Sequence, residues 1–196
     1  MDAIIEFVTK FWYLIILILV AGILDLFMPK IKRMLGEKPV DAYLSSLDEE
    51  KYKVINHISF EVKDKTINID HVVVSNYGIF VIKDNDYKGT IVGDEADESW
   101  KQKLPTKREK ISNPIRENYK NIQLLKQVTS EFGDLAYVSI IDFTTNARLQ
   151  VKAESKVVYT INLVSEIKKY NDEIISDVMK ENIYKRLIGY SKRKNQ

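Results

Sequence analysis

A cluster of basic residues lies between positions 101 and 120 and could bind an anionic ligand. Seven lysines and arginines stand there against Glu109 and Glu117, which leaves a net charge of +5 in this segment. Trp100 and Tyr119 are close in sequence, so the segment could contact phosphates and stack on bases. The alternative is that these charges only solvate a loop and a helix face. The candidate nucleic-acid-binding residues are Lys101, Lys103, Lys107, Arg108, Lys110 and Arg116, followed by Lys120.

Composition limits the other chemistries that this chain could perform. The whole chain carries a net charge of only +2, which does not indicate nucleic-acid binding outside a local cluster. With no cysteine and only two histidines, His57 and His71, a zinc site is not expected, and His71 is predicted to be a structural histidine. Glycine-rich phosphate loops and serine or cysteine nucleophile motifs are absent. No small-molecule cofactor is therefore expected.

The elements that position these residues follow from the spacing of apolar side chains. Helical spacing from Val40 to Leu47 predicts an opening helix, and Asn113-Pro114 predicts the start of a longer helix that ends at Gly133. Residues 93–112 have no clear period and are predicted to form a long loop. The order of elements predicts an α/β domain with one mixed sheet flanked by helices. The remaining predicted elements are strands at 52–62, 66–75, 77–82, 90–92, 135–143 and 156–161 and helices at 163–170 and 172–190.

The segment INIDHVVVSNYGIFVIKDNDYKG, residues 67–89, resembles the signature of the nuclease-related domain (NERD) family. In that signature an I-D-H-V-V-V strand is followed by a Y-G-x-F-V-I strand that ends in E-x-K-N-Y. The resemblance extends over residues 35–190 and implies a restriction-endonuclease-like fold, because the family is a divergent branch of the PD-(D/E)XK nucleases. Further positions that carry the likeness are Gly36-Glu37, Trp100, Asn113-Pro114-Ile115, Asn118, Phe143, Ala147 and Leu149.

The resemblance implies a catalytic site, and this sequence departs from it. In the superfamily an aspartate and the glutamate of E-x-K bind Mg²⁺, while the lysine orients the attacking water. Asp70 matches the aspartate, but Lys83 replaces the glutamate and Asn85 replaces the lysine. A protonated Lys83 cannot bind a metal, and we expect it to form an ion pair with Asp70. Glu37 matches a helix glutamate of the family, although Pro39 starts the helix close to it. These positions predict a degenerate site without a metal.

Three functions are compatible with this pattern. The leading hypothesis is a catalytically degenerate domain that binds nucleic acid or a protein partner. The alternative is an active Mg²⁺-dependent nuclease whose ligands have moved to Asp84 or Asp86, although strand alternation points these residues to the face opposite Lys83 unless a bulge intervenes. The third is a structural interaction module at the membrane. The sequence alone leaves open whether the protein is an enzyme.

The N-terminus predicts a membrane anchor. Residues 11–28 read FWYLIILILVAGILDLFM, with Asp25 as the only charge, and the apolar character extends back to residue 4. One transmembrane helix within residues 4–28 is expected, with a buried core helix or a cleaved signal peptide as the alternatives. The excess of lysine and arginine directly after it places the domain in the cytoplasm of a single-pass protein of the cell membrane. The predicted domains are an anchor, 1–30, and a NERD-like domain, 31–196.

Overall fold

The computed structural model describes residues 12, 13, 17, 20, 22, 39–62 and 65–192. By contacts the chain divides into two units, residues 1–35 and 36–196. In the first unit the described residues are helical, and Trp12, Tyr13, Leu17 and Val20 expose about half of their side chains or more. Among the residues described, no helix is long and apolar enough to cross a membrane. The predicted anchor otherwise lies outside the described residues, as does Glu37.

The second unit contains nine described strands and four described α-helices. The strands are β1 Tyr52–Val62, β2 Lys65–Ser75, β3 Gly78–Asn85, β4 Gly89–Asp94, β5 Ser99–Lys103, β6 Arg108–Ser112, β7 Tyr137–Phe143, β8 Ala147–Lys152 and β9 Lys156–Tyr159. The helices are α1 Val40–Leu44, α2 Pro114–Val128, α3 Thr160–Ile167 and α4 Asp177–Lys192, with a short 3₁₀ turn at Ser130–Phe132. The protein is thus a mixed α/β domain, as the sequence predicted.

The first sheet has the strand order β1-β2-β3-β7-β9. The strands β1, β2 and β3 form the predicted antiparallel meander, and β7 and β9 then add parallel to β3. The β2–β3 turn uses Gly78 at φ 136°, a conformation that strains residues with a Cβ atom. Parallel strands β3, β7 and β9 bring their carboxyl ends to one edge of the sheet. That edge is where ligands commonly bind in α/β proteins.

Helices cover both faces of this sheet, so alternate residues of β3 enter different environments. On the first face, α1 and α3 pack against Val73, Phe80 and Ile82. On the second face, α2 and α4 pack against Val72, Ile79 and Val81. This double cover explains the nearly continuous run of Val and Ile in β2 and β3, because a strand buried on both faces needs apolar side chains in both directions.

The second sheet has the order β6-β5-β4-β8 and corrects two predictions. The segment 93–112, predicted as a loop, contains the antiparallel β5–β6 hairpin, and the segment 147–152, for which no strand was predicted, forms β8. The single predicted sheet is therefore two sheets. Trp100 is fully buried in the core of this second sheet, and its indole lies against Gly93, where a Cβ would approach the ring to 2.2 Å.

The start of α2 confirms the prediction from Asn113-Pro114. The Asn113 side chain accepts a hydrogen bond from the Ile115 N–H at 3.0 Å, and Pro114 occupies the first helical position, where its missing N–H costs nothing. The Asn113 amide also donates to the Asp97 carbonyl at 2.7 Å. One residue therefore both caps the helix and ties it to the loop between β4 and β5. The helix itself ends at Val128, and the 3₁₀ turn continues to Phe132 before Gly133.

Candidate functional site

The carboxylate of Asp70 forms the predicted ion pair with Lys83. Lys83 Nζ lies 2.9 Å from Asp70 Oδ2, and each side chain is 24% exposed. The β2–β3 ladder places them side by side, because its last pair is His71 with Ile82. Beyond that pair the backbone N–H of Asp84 donates to Asp70 Oδ2 at 3.0 Å rather than to a carbonyl of β2. The same carboxylate oxygen therefore accepts both an ammonium and an amide hydrogen.

The charge of Lys83 is stabilised in this position. Burial lowers the pKa of Lys83, but the hydrogen bond to Asp70 and the charges of nearby carboxylates, including Glu117 on α2, outweigh it, so the pKa is raised above its usual value. A protonated lysine beside a single carboxylate opposes a divalent cation. The residues present at Asp70 and Lys83 thus do not fit the Mg²⁺ ion that the family resemblance implies.

Asn85 is neutral, and its side chain forms hydrogen bonds to the backbone. Its side-chain amide donates to the backbone carbonyls of Lys83 and Asp142, each at 3.2 Å. These bonds join the carboxyl ends of β3 and β7. A neutral amide cannot supply the positive charge that the family's lysine would bring to the attacking water. Glu37, the fourth predicted site position, lies outside the described residues.

The opposite face of the sheet holds a second polar cluster around His71. His71 is fully buried; its Nε2 lies 2.7 Å from Asp84 Oδ2, and its Nδ1 lies 2.8 Å from Asn56 Oδ1. Asp41 on α1 is 3.4 Å from Nδ1. Burial lowers the pKa of His71, but these carboxylates outweigh burial and raise it. Both ring nitrogens have partners, which confirms the prediction of a structural histidine.

Asp142 belongs to this second cluster and was missed in the sequence. It is 1% exposed, and its Oδ2 accepts a hydrogen bond from Thr160 Oγ1 at 2.8 Å. Burial raises the pKa of Asp142 to about 7, against the opposing effect of the Thr160 hydrogen bond. The only sequence signal was an aspartate next to the end of the apolar strand VSIIDF. Among the described residues, no three histidine or carboxylate side chains converge closely enough to hold a metal by themselves.

The predicted nucleic-acid-binding residues are all exposed but do not form one continuous set. Four of them lie on the outer side of the β5–β6 hairpin, because Trp100 and Gln102 take the inward positions of β5. Lys107 lies in the hairpin turn and pairs with Glu109 at 2.6 Å. Arg116 and Lys120 lie on α2 instead, where they line a cleft of about 480 Å³ with the exposed Tyr119.

Strand register aligns the four hairpin residues in rows of like charge. Lys101 stands opposite Lys110, and Lys103 stands opposite Arg108. The second row continues through Thr90 of β4 to Arg148 of β8. Arg148 was not a predicted site residue, because no strand was predicted at β8. The alternation of exposed residues in ARLQVK was the available signal. We call the following six residues the basic face: Lys101, Lys103, Arg108, Lys110, Arg148 and Lys152.

Comparison with known proteins identifies the family of the chain. The family model of the nuclease-related domain matches residues 32–160, more than half of the chain, and the chain belongs to that family. It is also 31% identical over 162 residues to an uncharacterised protein of Bacillus anthracis; the match covers 80% of this chain and 76% of the relative. No solved structure matches the chain significantly.

Proposed function

We propose that this protein is a catalytically degenerate NERD domain that binds nucleic acid at the cytoplasmic side of the cell membrane. The observation that carries the proposal is the basic face. Like charges directly opposite each other on neighbouring strands destabilise a sheet, and binding a polyanion would relieve that repulsion. Within residues 39–62 and 65–192, no carboxylate lies within salt-bridge distance of the six basic side chains. Their charges are therefore available to phosphates.

The cleft beside α2, which Glu95 also lines, adds a surface with features that suit nucleic acid. Tyr119 is 61% exposed and stands between Arg116 and Lys120 in sequence. An exposed aromatic ring flanked by two cations can stack on a base while the cations contact the flanking phosphates.

The Asp70–Lys83 pair supports binding without cleavage. Metal-dependent hydrolysis of a phosphodiester needs a cation held by carboxylates and a placed water. Here the ammonium of Lys83 already neutralises Asp70, at 2.9 Å. The domain would therefore keep the restriction-endonuclease-like architecture of its superfamily, with the β1–β3 meander, α2 and the parallel β7, and use it as a binding scaffold.

Membrane attachment rests on the sequence of residues 4–28. The apolar run is long enough to span a bilayer, and the basic residues after it favour the cytoplasmic side for residues 31–196. A tether of this kind would hold the domain near the membrane and leave the basic face to recruit nucleic acid. Fractionation tests this part: the full-length protein should pellet with membranes, and its recovery in the aqueous fraction without detergent would contradict the proposal.

The binding proposal is tested with full-length protein in detergent micelles. We expect single-stranded and duplex DNA and RNA to bind with an affinity that falls steeply as salt increases. Lys101→Gln with Lys103→Gln should reduce the slope of log Kd against log salt by about 2, one unit for each lost phosphate contact. The matched control is Lys168→Gln with Lys185→Gln, which removes two exposed lysines outside the basic face. Equal loss in both double variants would contradict a specific role of the face.

The same preparation tests the degenerate site. Incubation with labelled nucleic acid in Mg²⁺ or Mn²⁺ should give no turnover above that of the Asp70→Ala variant. Robust cleavage by the wild-type chain that Asp70→Ala abolishes would overturn the assignment and support the active nuclease.

A further inference from the structure

A cavity of about 210 Å³ lies just beyond the carboxyl ends of β3 and β7. Its walls include Asp84 and Asp142 on the face of the sheet that α1 covers, opposite the Asp70–Lys83 pair. Asp86 and Thr144 border it as the chain leaves the two strands, and Thr144 Oγ1 donates to Asp86 Oδ1 at 2.9 Å. The cavity therefore combines carboxylates with a position where α/β sheets commonly bind ligands.

Two carboxylate oxygens at this cavity lack a hydrogen-bond partner. Asp84 Oδ1 and Asp142 Oδ1 are both buried from solvent and accept no hydrogen bond within the part of the chain that the structure describes. Asp142 is the more deeply buried of the two residues, with only 1% of its surface exposed, so an unpaired oxygen costs more there. A buried polar atom without a partner is costly, and such an atom commonly marks an ion or a water in a folded protein.

The other oxygen of each carboxylate is already held. Asp84 Oδ2 lies 2.7 Å from His71 Nε2, and Asp142 Oδ2 accepts from Thr160 Oγ1 at 2.8 Å. Asp84 and Asp142 are also direct partners in the parallel β3–β7 ladder, so their side chains project from adjacent positions on one face. The two side chains are thus oriented and close together before any ligand arrives, with one free oxygen each.

The charges in the cluster favour a cation over a water molecule. A protonated His71 can neutralise the charge of Asp84. The partner of Asp142 is the hydroxyl of Thr160, which carries no charge and cannot neutralise it. When Asp142 is ionised, a water would satisfy the free oxygens without neutralising the second carboxylate. A divalent cation does both, and Mg²⁺ commonly uses one or two carboxylates while it keeps several water ligands. The cavity has space for those waters.

We propose that Asp84 and Asp142 bind a divalent cation, Mg²⁺ or Mn²⁺, at the carboxyl ends of β3 and β7. His71 and Thr160 orient the two ligands from behind, as residues around metal ligands commonly do. The cation would hold the two strands together at the sheet edge. This site lies on the other face from Asp70 and does not depend on nucleic-acid binding or on cleavage.

The test uses the full-length chain in detergent, first stripped of metal with a chelator and then titrated with MnCl₂ or MgCl₂. At a hundredfold excess over Kd we expect the melting temperature to rise by about 5 to 10 °C. Asp142→Asn and Asp84→Asn should each weaken binding at least tenfold, while Asp70→Asn should bind as the wild type does. Loss of binding in Asp70→Asn with retention in Asp142→Asn would overturn the proposal, as would a wild-type chain that shows no rise.

A second measurement needs no variant and therefore does not depend on whether the variants fold. Mn²⁺ broadens nuclear magnetic resonance signals near its site, so substoichiometric MnCl₂ should first remove the amide signals of Asn85, Asp86 and Thr144. Broadening that begins elsewhere, for example at the exposed acidic residues Asp172 and Glu173, would contradict the site. Absence of any localised broadening would also contradict it.

Discussion

The two faces of the first sheet surround their carboxylates differently, although consecutive residues of β3, Lys83 and Asp84, take part in the two clusters. On the α2 face, Asp70 has the ammonium of Lys83 at 2.9 Å. On the α1 face, His71 holds Asp84 and Thr160 holds Asp142, and within the described residues one oxygen of each carboxylate accepts no hydrogen bond. Strand alternation sends Lys83 and Asp84 in opposite directions, so a single β-strand can close one site and leave the other open. The ammonium of Lys83 therefore opposes a cation on the α2 face and leaves the α1 face unaffected.

The role of the Asp70–Lys83 ion pair is tested by removing the lysine. In Lys83→Ala the half-buried Asp70 loses its partner, and we expect the free energy of unfolding to fall by about 1 to 4 kcal/mol. Denaturant unfolding measures this change. Lys107→Ala is the matched control, because the Lys107–Glu109 pair is 58% and 44% exposed and should contribute less than about 1 kcal/mol. Equal losses of unfolding free energy in the two variants would show that the Asp70–Lys83 pair stabilises the domain no more than an exposed ion pair does.

The environment of Asp142 on the α1 face is tested by measuring the free energy of unfolding against pH, in the presence of a metal chelator. The folded-state pKa of Asp142 is raised to about 7 from an ordinary value of 3.8, so between these values the folded protein binds the proton more tightly than the unfolded chain. Stability from this group is therefore present at low pH and lost as pH rises through 7. Between pH 5 and 8 the loss should be about 2 to 3 kcal/mol.

Other groups near Asp142 also titrate, so the measurement is a difference between two proteins. His71 has a raised pKa and adds a loss of stability in the same direction. Burial and the charge of Asp142 also raise the pKa of Tyr43. Asp142→Asn keeps the shape and removes the titration. Its unfolding free energy should exceed that of the wild type most at pH 8. Parallel pH profiles for the two proteins would contradict a titrating Asp142.

Much of the first sheet could be predicted because its physics is local. The Val and Ile runs of β2 and β3, the glycine at their turn and the Asn113-Pro114 cap each specify a conformation within a few residues. The β5–β6 hairpin could not be recognised in the same way, since its inward positions include Gln102 and Glu109 as well as Trp100 and Ile111, which hides the period of two. Trp100 of the hairpin packs against Gly93 of β4, and no spacing of apolar residues in the sequence marks that contact.

The candidate site residues also differ in whether a local sequence motif or a long-range strand pairing brings them together. Asp70 and Lys83 were found because the family signature and the antiparallel meander fix their relation. Asp142 could not be paired with Asp84 beforehand, because the β3–β7 ladder joins residues 58 positions apart and no motif marks that register. Arg148 was missed for a similar reason: its place in the basic face depends on the parallel pairing of β4 with β8.

The basic face is a third arrangement: two of its rows place like charges opposite each other, its six side chains form no ion pair among the described residues, and it predicts the smallest effect. Lys101→Glu would place a carboxylate directly opposite Lys110 and turn a repulsive pair into an attractive one. We expect the free energy of unfolding to rise by about 0.2 to 1 kcal/mol, while nucleic-acid affinity falls. Lys156→Glu, at an exposed position of β9 whose ladder partner is Ile140, makes the same charge change outside the face and should leave both quantities nearly unchanged. A gain in stability together with a loss of binding indicates that the like-charge rows are kept for a ligand, since a face selected only for folding would not retain them. Unchanged stability and unchanged binding in Lys101→Glu would show that solvent already screens these rows and that they serve no anionic partner.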